Sequence, residues 1–419
     1  MNRTTGITPE TDSGLRTIRL LIGIRAVRSI GQGALVVDFS LYLHRLGWSA
    51  VEISLVLGGA LLFGSVLTLI VGPLSDRAGR RRFLLAYESV QLLAALVAAL
   101  SAAPLAIGLA GIVGGFGRGG NGAAGPFSPV EQAWIAQSAP AGSRGRIFSI
   151  NGAAGAAGMA VGGLLATSPS WLQGVLPGAL AFRPLFLLCT LSSAVCLVLI
   201  SRAEDREARP ARLRDAAPEA APLPDAAEAA IRKRENGMIL RLILSNMLNG
   251  SGIGMTGPLI SYWFAIRFGE GPASIGSLMA LGFLLSGAGL LVTGRLADRF
   301  GAVRMVVIMR LVGLAMLIAM PFAPSFWIAA GLYMFRSVFN RSTTGARSAV
   351  MAGIVRQHRR GLAASAASVS LQIPRSVGPV VTGALFEAGF LELPFVIAAV
   401  FQGAYIYMYH RSFSGAELE

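Results

Sequence analysis

The stretch GPLSDRAG at residues 72–79 decides how this chain is read, because it returns as GRLADRFG at residues 294–301, 222 positions later. The echo extends beyond that segment. Gly31 and Gly33 lie 221 positions before Gly252 and Gly254, Ser40 lies 221 before Ser261, and Gly158 and Gly163 lie 220 before Gly378 and Gly383. Near-constant offsets in separate apolar segments point to a tandem duplication with both copies in the same orientation.

Composition says what was duplicated. The 419 residues are 54% hydrophobic and only 14% charged, with a mean hydropathy of +0.63, whereas a soluble domain carries about 25% charged residues. That excludes a water-soluble domain, and two cysteines exclude a disulfide scaffold. A bilayer crossing needs about 20 mostly apolar residues. The pattern predicts twelve: 16–43, 49–72, 83–103, 105–137, 146–167, 182–201, 238–265, 272–294, 303–322, 325–355, 361–388 and 393–411. Residues 201–237 are rich in Ala, Pro and both signs of charge, cannot bury a core, and read as a linker. The expected units are therefore 1–201, a cytoplasmic linker 202–237, and 238–419. Residues 1–14 are polar and the first apolar run is a full-length span, so no cleavable leader is expected.

The net charge of +15 would suggest nucleic acid in a soluble protein; here it reads as topology. With both termini inside, 25 of the 36 basic residues fall on the inner side, three (Arg45, Arg183, Arg267) on the outer side and eight within spans. Cys189 and Cys196 sit seven apart in one span and read as packing. His44, His358 and His410 are scattered, so no metal site is expected, and no nucleophile elbow or nucleotide-binding loop is present. An enzyme is not expected, and neither is a cofactor.

The segment GPLSDRAGRRRFL resembles the loop signature of the major facilitator superfamily, G-x-L-[AS]-D-R-x-G-R-[RK], at the place between spans two and three where that family carries it. The resemblance covers essentially the whole chain. It implies an all-α integral membrane protein with twelve transmembrane helices in two pseudosymmetric six-helix bundles, rocking about a central cavity. It also implies gating residues: Gly72, Asp76, Arg77, Gly79 and Arg80, with Glu131 at the end of span four, and Gly294, Asp298 and Arg299 in the second copy. Asp76, Arg80 and Glu131 would form a latch that closes in one state; the alternative is that they are topology charges on a wet loop. The second copy has Ala302 and Val303 in place of the arginine run, which predicts a weaker latch. Arg118 with Asn121 and Gly122 is similar to the family's span-four pattern of a buried Arg before small residues, often tied to proton coupling. Met159 stands where the antiporter signature has Pro.

Charges inside spans need a reason, since Arg at mid-bilayer costs about 2.5–3.5 kcal/mol. Arg25, Arg28 and Gln32 share a face of span one, and the repeat-related positions in span seven are Asn246 and Asn249. By resemblance these spans line the cavity, which makes all five substrate contacts; packing within the core is the alternative. Span ten carries a stripe of Arg336, Asn340, Thr343 and Arg347, with Arg341 directed elsewhere, and span eleven adds Ser368, Gln372 and Arg375. Arg310 in span nine reads as snorkelling to the surface. Few acids oppose them. Glu88 reads as shallow, and Asp38 is the first choice for a proton-binding carboxylate, the alternative being a fixed ion pair with Arg118.

The expected function is a secondary active transporter in the inner (plasma) membrane, both termini cytoplasmic, with a small anionic or amphiphilic solute as substrate and protons as coupling ion. The lipid bilayer is the other partner, nucleic acid is not, and a monomer is expected. A multidrug efflux antiporter and a non-transporting receptor or scaffold on the same fold are the alternatives.

Overall fold

A computed structural model describes residues 9–118, 125–140, 143–205, 225–353, 356 and 359–413, with side chains at 9–13, 72–74, 76–78, 225–227, 290–300, 302, 348–349, 351–353 and 360–362 excepted. Sixteen α-helices lie among these residues; all but the short Ser168–Leu172 helix, which follows the fifth expected span, overlap the twelve expected spans. The first half runs α1 (Pro9–Arg45), α2 (Ala50–Ala78), α3 (Arg80–Leu100), α4 (Pro104–Gly114), α5 (Ser128–Ser138), α6 (Arg144–Leu165), the short α7 (Ser168–Leu172) and α8 (Arg183–Arg202). The second runs α9 (Asp225–Thr256), α10 (Ile260–Phe268), α11 (Pro272–Phe300), α12 (Ala302–Ala319), α13 (Phe326–Ser342), α14 (Thr344–Gly353), α15 (Arg360–Glu387) and α16 (Leu393–Phe413). Among the described residues, seven helical stretches are long and apolar enough to cross a membrane on their own.

Local chemistry sets the boundaries. Ser49 caps α2 through a reciprocal box with Glu52. Gly79 and Gly301, the last residues of the two repeated stretches, take φ of +87° and +80° and turn α2 into α3 and α11 into α12. Span four, expected as one helix over 105–137, is instead divided between α4 and α5, with Gly115 and Gly117 at φ +65° and +79° just after α4. Span ten is likewise split after Ser342. The helix of span seven begins at Asp225, well inside the expected linker. Its first turns are pinned: Arg356, in the α14–α15 connection, donates from its backbone N–H to Glu235 (2.9 Å) and from its guanidinium to Glu228 (2.8 Å), and Arg359 pairs with Glu235 at 2.8 Å.

The helix pairings repeat between halves. α1 packs on α6 as α9 packs on α15, and α1 on α8 as α9 on α16. Glycine permits the first pair: a Cβ at Gly158 would lie 2.3 Å from the carbonyl oxygen of Ala26, and one at the repeat-related Gly378 would lie 2.3 Å from the backbone of Gly254. Between halves, α2 meets α15 and α6 meets α11.

The cores are not symmetric along the bundle axis. One apolar core runs from Phe39, Phe116 and Phe186 in the first half to Trp263, Phe283 and Tyr333 in the second, at the end away from the termini. Toward the termini the cores part. Leu21, Leu84, Trp134 and Ile200 belong to a core of the first half, and Ile239, Val306, Tyr409 and Phe413 to a core of the second. The halves are thus joined at the far end and separate at the termini end, among the described residues.

Candidate functional site

A cavity of about 250 Å³ lies in the second half. Helix α9 contributes Asn249, α12 contributes Arg310, and α13 contributes Arg336, Asn340 and Arg341. Helix α14 adds Arg347, and α15 adds Ser368, Gln372 and Arg375. Five arginines therefore wall one small space, and no carboxylate stands among its lining residues.

Neutral groups hold these cations. Arg310 donates to Thr343 (3.3 Å) and to the side-chain oxygen of Asn249 (3.2 Å), and Arg347 donates to that of Asn246 (2.7 Å). The guanidinium carbons of both lie 5.4 and 5.5 Å from the ring of Tyr405. Arg336 reaches the hydroxyl of Thr256 at 3.5 Å, and Arg341 stands over the ring of Phe283 at 5.1 Å. Two donors are buried with no acceptor, Nε of Arg375 and Nδ2 of Asn249. Each is a hydrogen-bond donor taken out of water and left unsatisfied, which is costly unless a ligand accepts from it.

The first half treats its arginine oppositely. Arg28 is sealed among acids: Nε bonds Glu88, Nη1 bonds Glu131 at 3.0 Å, and Asn151 donates to the other oxygen of Glu131 at 2.7 Å. Its guanidinium sits 3.9 Å over Phe127. Exposure is 3% at Arg28, 0% at Glu88 and 1% at Glu131. Arg28 is therefore an interior ion-pair residue joining α1, α3 and α5, and the expected cavity-facing role is corrected. Glu88, expected shallow, is wholly interior. Glu131, expected to latch onto Arg80, faces Arg28, while Arg80 donates to the side chain of Gln137 and to the carbonyl of Ala133. The break in span four explains this, because a new helix starting at Ser128 places Glu131 in its first turn, inside the bundle.

Arg25 is half-buried beside Phe127, 5.3 Å from the ring, and its Nε has no acceptor. Gln32 is half-buried on the same helix. Arg118 donates to the carbonyl of Gly115 and borders a crevice of about 20 Å³ whose opposite wall includes Gln372; there the two halves' candidates meet. Asp38 is 1% exposed, and both its carboxylate oxygens lack a hydrogen-bond partner among the described residues; it forms no ion pair with Arg118. Asn121 and the side chains of Asp76, Arg77, Asp298 and Arg299, with Gly72 and Gly294, lie outside the described residues. Three wall arginines escaped the sequence reading as contacts. Arg347 stood in the span-ten stripe and could have been chosen. Arg310 and Arg341 were assigned to snorkelling or outward packing, and no pattern in the sequence contradicts that.

Against known proteins, the Major Facilitator Superfamily model matches residues 21–239 and 242–411. No curated protein matches in sequence. Among solved structures, the chain is similar to the nucleoside transporter NupG (TM-score 0.69, 14% identity, 95% of this chain and 99% of that one). It is also similar to a bacterial homologue of the human lysosomal transporter Spinster in an inward-facing, occupied conformation (0.71, 14%, 96% and 97%) and to a D-xylose–proton symporter (0.68, 14%, 93% and 97%). At these identities the likeness is one of fold.

Proposed function

Because the chain belongs to the major facilitator superfamily, and is thus a multi-pass membrane protein carrying a small solute by secondary transport, we propose that its solute is an anion bound in the arginine-walled cavity of the second half. The observation that carries this reading is five arginines around about 250 Å³ with no acid among the lining residues. Uncompensated cations in a low-dielectric site are expensive, and a bound anion relieves the cost. The size argues the same way. The space holds about eight waters at about 30 Å³ each and falls below the roughly 300–1,000 Å³ of drug-sized pockets, which speaks against a multidrug antiporter.

Coupling to protons is assigned to Asp38, an interior carboxylate with no cation partner among the described residues. The arginine distribution supports termini on the cytoplasmic side of the inner membrane, so the separate cores at that end mark a form open to the cytoplasm. The test is a thermal-shift series on the purified protein with anions, neutral sugars and cationic drugs at constant ionic strength. Anions are expected to raise the melting temperature most; preferential stabilisation by cations overturns the reading. In proteoliposomes, Asp38→Asn is expected to abolish uptake driven by a pH gradient while leaving anion binding intact, and full coupling in that variant removes Asp38 from the proton path.

A further inference from the structure

Resting on that reading, we infer that the solute is a compact oxyanion carrying at least two negative charges, recognised in the cavity of the second half. Charge bookkeeping within this chain is the basis. Elsewhere among the described residues several arginines are matched by acids: Arg28 by Glu88 and Glu131, Arg356 and Arg359 by Glu228 and Glu235, Arg267 by Glu392. Of the cavity set, Arg310, Arg336, Arg347 and Arg375 pair with no acid among the described residues. Moreover its members crowd one another, Arg310 lying in the field of Arg347 and Arg336, and Arg375 in that of Arg341. A single negative charge offsets one of these four positive ones and leaves the mutual repulsion standing; two or three charges within one small molecule offset most of it.

The hydrogen-bond chemistry agrees. Nε of Arg375 and Nδ2 of Asn249, buried in the cavity wall without an acceptor among the described residues, are both donors, and Asn249 has its acceptor oxygen already taken by Arg310 and Gln402. The site therefore offers donors and asks for acceptors, which is the pattern of a carboxylate or phosphate oxygen surface. A sugar hydroxyl, which brings a donor with each acceptor, suits it poorly. Arg28 of the first half is already neutralised and contributes no charge to this cavity.

The test is isothermal titration of the purified full-length protein, at fixed ionic strength in chloride, with acetate, succinate, tricarballylate, inorganic phosphate and glycerol phosphate. Each added charge is expected to tighten binding by about tenfold or more, because each brings another charge-assisted hydrogen bond. The two sources of charge separate by pH. A phosphate monoester gains its second charge near pH 6, so its affinity should rise between pH 5 and pH 7. Succinate, whose second carboxyl titrates at the lower end of that window, should rise less and level off at lower pH. Arg375→Gln should erase most of the advantage of di- over monoanion. Equal affinity for acetate and succinate overturns the inference while leaving an anion carrier in place. Failure of every anion to bind, with neutral solutes binding instead, overturns the anion reading itself.

Discussion

Replacing Arg28 by methionine separates two roles that the sequence leaves open. The guanidinium is enclosed by Glu88, Glu131 and the face of Phe127, with Asn151 completing the far oxygen of Glu131. Methionine fills much of the volume and removes the cation that pairs with two interior carboxylates. Breaking a buried pair from one side costs about 3–5 kcal/mol, and the lost stack on Phe127 adds about 0.5–2 kcal/mol. The expected loss is therefore at the upper end of single substitutions. The triple variant Arg28→Met, Glu88→Gln, Glu131→Gln removes the orphaned charges and is expected to recover most of it, since exchanging a whole buried ion pair for neutral groups is often nearly neutral. The assay is reversible unfolding in mixed detergent micelles, followed by helix content, with anion affinity measured on the folded fraction. A loss under about 1 kcal/mol, together with anion binding weakened tenfold or more, would falsify the assignment of Arg28 to the interior and return it to the cavity wall.

Further outcomes follow from other contacts. Gly158→Ala drives a methyl into the carbonyl of Ala26, 2.3 Å from the built Cβ, and is expected to destabilise by about 1–3 kcal/mol in the same titration; an unchanged midpoint would mean that α1 and α6 do not approach so closely. Arg356→Ala frees two carboxyls. Hydrogen bonds from Arg356 and then Arg232 hold Glu228 at about 2, and at Glu235 burial pushes the other way but is outweighed by bonds from Arg356 and Arg359, again leaving about 2. Values depressed from the ordinary 4.5 mean stability that is present above pH 4.5 and lost as pH falls toward 2. Wild type should therefore melt above the variant at pH 7, and the gap should narrow below pH 4.5; a gap independent of pH contradicts the clamp. Finally, Ser368→Cys should react with a membrane-impermeant maleimide in inverted vesicles and be protected by phosphate, over a low background because Cys189 and Cys196 are 2% and 0% exposed. Labelling only from the opposite face would reverse the orientation.

What could be read in advance follows from what periodicity encodes. The duplication was legible because turns and close helix approaches demand glycine, and Gly79 with Gly301, like Gly158 with Gly378, meets the same demand in each half. The pair Arg336 and Asn340 was legible because helical spacing alone puts it on one face of α13, whereas Arg347 reaches the same cavity from α14, beyond a break that spacing does not show. The Arg28 cluster was not, since it joins α1, α3 and α5 across more than a hundred positions and depends on a helix restart at Ser128 that composition blurs into one long apolar run. Arg310 shows the same gap from another side: depth along a helix says how far a side chain lies from the surface, but not whether a neighbour such as Asn249 receives it.

The apolar mass shared at the far end bears on temperature. Opening the carrier toward that side means wetting rings such as Phe39, Phe186 and Trp263, which now seal it together, whereas the termini side has no common seal to break. Apolar burial loses strength on cooling. Chilling should then enrich the conformer open at the far end, and the two legs of the transport cycle should respond to cold unequally, the leg that re-forms this seal losing most of its driving force.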